Sequence, residues 1–133
     1  MSDILQFLQQ RNSASRLIAP APSAAQLQGI FRAALRAPDH GWLRPWRFIT
    51  IAGERRTALG ELLEQCLLAR TPDADETART KARTAPMRAP LIVVVVAKVC
   101  EHAKGPAVEQ RLSAGCAAQA ILLAVEACGF AGM

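Results

Sequence analysis

Pro90-Leu-Ile-Val-Val-Val-Val-Ala-Lys-Val-Cys100 (PLIVVVVAKVC) is the stretch whose reading decides the fold. A continuous β-branched run is what a strand shows when both of its faces are covered, because no alternate residue has to meet water. It predicts a central strand. The obvious neighbour is Trp46–Ala52 (WRFITIA), which follows Pro45 with alternating β-formers. One neighbour is too few for a buried central strand, so the sequence predicts a sheet that lacks some of its partners.

Helices flank these strands. Ile4, Leu5, Phe7 and Leu8 give a short first helix ending near Arg11, and NSASRLIAPAP (12–22) is a polar, Pro-punctuated connection. Ser23 with Gln26 forms a capping-box pattern ahead of Leu27, Ile30, Phe31, Ala34 and Leu35 at helical spacing. That helix is expected to stop at Ala37, before Pro38. RAPDHGWLRPW (36–46), which holds both tryptophans, is therefore a loop. After the first strand, Leu59, Leu62, Leu63 and Cys66 mark one face of a helix. Residues 71–89 read as an exposed helix or mobile segment, with Arg79, Lys81 and Arg83 on a solvated face. A long helix is expected from Ala107 to Cys128 with Gly129 as its C′ glycine, and its small-residue section Ala114–Ala118 lets another backbone approach closely.

The chain has 133 residues, 51% of them hydrophobic, enough for one domain spanning 1–133. Its net charge of +5 suits an anionic partner. With no tyrosine and few other aromatics to interleave with the basic residues, a nucleic acid ranks below a phosphate-bearing cofactor. Cys66, Cys100, Cys116 and Cys128 form no CxxC pair and there are two histidines, His40 and His102, so no metal site is indicated. The cysteines are expected to be reduced, buried thiols of a cytoplasmic protein. Asp3 stands where a signal peptide carries positive charge, and the apolar run Ala114–Cys128 is shorter than a membrane span. There is no GxGxxG, no Walker A pattern and no defensible nucleophile, acid and base set, so no catalytic side chain is assigned.

The candidate binding groups are cationic. Arg11-Asn12-Ser13 combines a guanidinium with a neighbouring hydroxyl, the donors that cradle a phosphate, although such a triplet is commonly surface decoration. Arg32 and Arg36 share a helix face, and Arg36 at the helix C-terminus is favoured there by the dipole alone. On composition, His40 between Asp39 and Gly41 suits a structural turn cap.

Four colinear blocks alter that reading. RNSASRL (11–17), PAPSAAQLQGIFRAALRAPDHGWLRPWRF (20–48), KARTAPMRAPLIVVVVAK (81–98) and EQRLSAGCAAQAILLAVEACGFAGM (109–133) resemble the FMN-dependent nitroreductase family, most closely its small YdjA-like branch. The resemblance implies an α+β fold, a three-layer α/β/α sandwich, assembled as a homodimer with FMN at the subunit interface. It implies hydride transfer from NADH or NADPH through FMN to a nitroaromatic or quinone-like small-molecule acceptor. By the same resemblance Arg11, Asn12 and Ser13 meet the FMN phosphate and ribityl chain, with Asn12 standing where the family has a second arginine. Arg36 and His40 approach the flavin, typically from the partner subunit, and Ala124, Val125, Glu126, Ala127, Cys128 and Gly129 match a stretch assigned to NAD(P). Family members continue past the match to Met133 with a strand segment that completes the flavin site, so the sequence is expected to be incomplete at its C-terminus. The rival expectation is a flavin-free, non-catalytic protein that dimerises through the small-residue helix.

Overall fold

The computed structural model describes residues 3–133. Five helices and two strands follow one another as α1 (Asp3–Gln10), α2 (Ala24–Ala34), β1 (Trp46–Ala52), α3 (Arg55–Arg70), α4 (Glu76–Thr84), β2 (Leu91–Ala97) and α5 (Ala107–Ala127), with single 3₁₀ turns at His40–Trp42 and Ala85–Arg88. The strands pair as a two-stranded sheet. Lys98 donates its backbone N–H to Pro45 O at 3.0 Å, which sets the start of β1 beside the end of β2 and makes the pair antiparallel. Both strands lie where the sequence puts them. The expected coverage of both faces of β2 is corrected: among the described residues it has one neighbour, and its residues are half-buried except for an exposed Ala97.

The chain divides into two compact units. The first takes in the chain up to Ser15, Pro22–Ile49 and Val94–Met133. Here α2 packs on α5, and Trp46 seats its indole, 8% exposed, against Ala114 and Ala117 of α5, flanked by Ala37, Phe48 and Val95. The small residues of α5 thus serve to admit a tryptophan. Covering an aromatic of this size removes ~200 Å² from water and contributes roughly 4–5 kcal/mol. Phe31 of α2 stacks on Phe48 of β1 with centroids 5.3 Å apart and planes 8° from parallel.

Local chemistry sets the helix ends. Ser23 Oγ accepts from Gln26 N while Gln26 Oε1 accepts from Ser23 N, so the capping box closes in both directions. The expected end of α2 at Ala37 is corrected to Ala34. Arg36 N and Ala37 N turn back to Ala33 O and Ala34 O in tightened three-residue bonds, which places Arg36 in the turn beyond the helix. At the far end of α5, Gly129 (φ 80°) donates to Glu126 O and Phe130 donates to Val125 O, a complete Schellman closure.

The second unit is Arg16–Ala21 with Thr50–Val93. In it α3 lies against α4, and the buried face of α3 is corrected from the expected stripe. Leu62 is 53% exposed and Cys66 is exposed, whereas Gly60 is buried and Glu64 is 12% exposed. The reason is electrostatic. Arg79 and Arg83, one turn apart on α4, both reach the Glu64 carboxylate, at 2.9 Å and 3.0 Å, so this arginine face closes on a partner rather than on solvent. The Arg83 hydrogen bond, with help from Arg79, holds the Glu64 carboxyl below the usual carboxylate range against an opposing desolvation, and Glu64 raises Arg83 in return. Arg56 Nη1 donates to Ala89 O at 2.6 Å and Leu17 N to Arg88 O at 2.7 Å, fastening the 3₁₀ turn before β2. All four cysteines are free as expected, but each is exposed rather than buried.

Candidate functional site

The candidate binding residues Arg11, Asn12, Ser13, Arg36, His40 and Ala124–Gly129 all lie in the first unit. Arg11, Asn12 and Ser13 follow the last turn of α1 in irregular backbone. Arg11 Nη1 donates to Asn12 O at 2.8 Å and its Nη2 to Ser13 Oγ at 3.4 Å, so the guanidinium is folded over its own segment and held next to the serine hydroxyl. Ala14, one residue on, donates its N–H to Gly132 O at 3.1 Å. Between them the three side chains offer guanidinium, amide and hydroxyl donors and no carboxylate, a set suited to a phosphate.

Arg36 lines a shallow groove of ≈ 390 Å³ together with Ala33, Ala37 and Pro38 on one side and Cys116, Gln119, Ala120 and Leu123 of α5 on the other. Its guanidinium is exposed and has no hydrogen-bond or ion-pair partner among the described residues. A free cation beside a mostly apolar, open groove leaves one charge-assisted donor available to a ligand lying against this face.

The loop between α2 and β1 carries His40. Gly41, Trp42 and Arg44 all have positive φ, at 73°, 57° and 46°. Glycine takes that conformation freely, while tryptophan and arginine are strained in it. The loop is nevertheless tied at several points. Asp39 accepts the Arg44 backbone N–H, Trp46 N donates to Arg44 O at 2.8 Å, and His40 Nδ1 lies 3.4 Å from Glu109 Oε2 on the first turn of α5. Beneath it, Gly105 lies so near that an added Cβ would come within 2.8 Å of Leu43 Cδ1. Gln110, 2% exposed, completes the support: its amide accepts from Cys100 N and donates to Cys100 O and Gly105 O, holding the connection between β2 and α5 as a strand partner would.

Ala124–Gly129 form the last turn and cap of α5, half-buried from Ala124 to Glu126 and exposed from Ala127. The Ala124, Val125 and Glu126 carbonyls are taken up by the N–H groups of Cys128, Gly129 and Phe130, and this is the negative end of the helix dipole. Among the described residues no group of His, Cys, Asp or Glu could hold a metal, and no helix is long and apolar enough to cross a membrane.

Sequence reasoning missed the supports. Glu109 and Gln110 look like ordinary first-turn polar residues, and nothing in their spacing points 69 or so residues back to His40 or up to Cys100. Trp42 and Arg44 were visible as composition only; the clue was Gly41, whose presence allows the first left-handed step of the loop.

The residues 8–133 match the model of the nitroreductase family. A curated relative from Escherichia coli (strain K12), "Putative NAD(P)H nitroreductase YdjA", is 50% identical over 131 residues, 98% of this chain and 70% of the relative. Among solved structures, a nitroreductase-like family protein from Bacillus cereus superposes with a TM-score of 0.77 at 19% identity, covering 97% of this chain and 67% of that one. The FMN-dependent nitroreductase NfnB from Mycobacterium smegmatis, solved in complex with NADPH, superposes with a TM-score of 0.71 at 17% identity, over 97% of this chain and 74% of that one. These likenesses carry the same α+β fold, and with the extent of the family match and the sequence identity they give one conclusion: the chain belongs to the nitroreductase family.

Proposed function

We propose that the protein is an FMN-dependent oxidoreductase that moves hydride from NADH or NADPH to nitroaromatic or quinone-like acceptors. It acts in the cytoplasm as a homodimer with residues 1–133 as one nitroreductase-like domain. Family membership supports the reaction class, and the names of the relatives supply the cofactors: NAD(P)H for the YdjA relative and FMN with NADPH for NfnB. The observation that carries the reading is the Arg36 guanidinium, without a partner among the described residues, in the lining of a mostly apolar groove.

Arg11, Asn12 and Ser13 bind the phosphate and ribityl end through guanidinium, amide and hydroxyl donors. Arg36 and His40 serve the ring region, reaching the flavin of the partner subunit. Bound FMN supplies the two-electron redox chemistry, and the chain binds it, orients it and excludes water. Ala124–Gly129 are kept as the NAD(P) contact, for which Ala127, Cys128 and Gly129 offer the accessible surface.

NADPH oxidation with menadione or nitrofurazone as acceptor, measured with and without added FMN, tests the reading. FMN-dependent turnover supports it, and a chain that neither retains FMN nor turns over with FMN in excess overturns it. A second reading, a flavin-free dimerising protein, is favoured by one face of α5: Val108 at 60% and Leu112 at 65% exposure continue into exposed Cys116. It predicts a dimer in sedimentation whose mass is unaffected by FMN.

A further inference from the structure

Trp42 is 76% exposed, the most water-facing of the large aromatic side chains among the described residues, and it is held that way. A tryptophan left in water by a slack loop would fold back over the nearest apolar surface. Here the backbone at Gly41, Trp42 and Arg44 is fixed in the left-handed region, and the Asp39 carboxylate, the Arg44 carbonyl and the Leu43–Gly105 contact hold it from both sides. Strain retained in bulky residues of an anchored loop is characteristic of ligand clamps. The Arg44 guanidinium lies 5.8 Å from the Trp42 ring centroid, over one face of the indole, and has no carboxylate ion-pair partner among the described residues. With 76% of its surface exposed, the indole keeps most of its area accessible beside that guanidinium. His40 is two residues away.

We propose that Trp42 and Arg44 form an acceptor platform that selects planar, electron-poor aromatic compounds carrying a negative charge. The proposal rests on the nitroreductase reading for the identity of the acceptor, and the platform itself is built from this loop alone. An electron-rich indole stacks well with an electron-poor nitro ring, and offset stacking on a preplaced side chain costs little ordering. The nearby guanidinium favours an anionic substituent over a neutral one.

The test uses 4-nitrobenzoate and nitrobenzene on the full chain, with and without FMN. Iodide should quench Trp42 and leave buried Trp46 dark to it. 4-Nitrobenzoate should quench the same exposed fraction, with a Kd at least tenfold weaker in Trp42→Ala and two- to threefold weaker in Trp42→Phe. Arg44→Gln should weaken 4-nitrobenzoate about fivefold and leave nitrobenzene within twofold. In the flavin-loaded protein the same variants should raise the KM for 4-nitrobenzoate and keep kcat. Equal affinities for wild type and Trp42→Ala overturn the proposal, as does a Trp42 that iodide cannot reach, which would mean that another chain covers it. Failure to bind FMN overturns the proposed function and leaves the fluorescence titration of the flavin-free chain to decide this inference by itself.

Discussion

Gly60 of α3 lies against the backbone carbonyl of Arg83 of α4, so close that an added Cβ would collide with Arg83 O. The obstruction is main chain and cannot swing aside. This approach is what brings Arg79 and Arg83 within reach of Glu64.

Gly60→Ala is therefore expected to destabilise the protein by about 2 kcal/mol or more, the scale of overpacking in a closed contact. Gly29→Ala, in the interior of α2 with nothing near its Cβ position, is expected to stabilise by ~0.5–1 kcal/mol. Denaturant unfolding of the two variants beside wild type gives opposite signs. Equal effects would refute the contact.

Glu64→Gln should lose stability in a pH-dependent way. Because Arg83 and Arg79 depress the folded-state pKa of Glu64 below its ordinary 4.5, the stabilisation is present above that value and fades as pH falls through the lowered folded pKa. The Tm gap between wild type and variant should be largest near neutrality and close on acidification. A gap that stays constant from pH 7 to pH 3 would remove the ionic explanation.

Flavin binding should follow the donor set. Arg11→Ala and Arg36→Ala are each expected to weaken FMN ten- to a hundredfold, about 1.5–3 kcal/mol for one charge-assisted hydrogen bond. Asn12→Arg, which restores the cation that the resemblance leads one to expect, should tighten it several-fold. Quenching of flavin fluorescence reads all three, and Arg47→Ala, outside the proposed site, serves as the control.

Gln110→Leu is expected to cost ~2–4 kcal/mol, since it strands Cys100 N, Cys100 O and Gly105 O after removing their shared partner. Hydrogen exchange at Cys100 should speed up in the variant. Unchanged exchange there would show that the amide is not what holds this connection.

What the sequence made legible was local. The capping box at Ser23, the start of β1 after Pro45 and the glycine closing α5 are written in neighbouring residues, and each stands where it was expected. The misreadings came where a distant partner intervened. Arg79 and Arg83 looked solvated because Glu64 lies fifteen or more residues away, and leucine periodicity in α3 gave way to a carboxylate that two arginines could neutralise. The PLIVVVVAKVC run predicts burial from composition, whereas burial depends on what stacks against it. In the candidate site, the donors were legible through their resemblance to a family, and their supports, Glu109 and Gln110, were not.

The hydrogen bond from Ala14 to Gly132 joins residues 118 positions apart in sequence. During synthesis the segment carrying Arg11, Asn12 and Ser13 is made more than a hundred residues ahead of Gly132, and this fastening cannot form until that residue has been made. The proposed phosphate-binding segment is thus made well before the residue that fastens it.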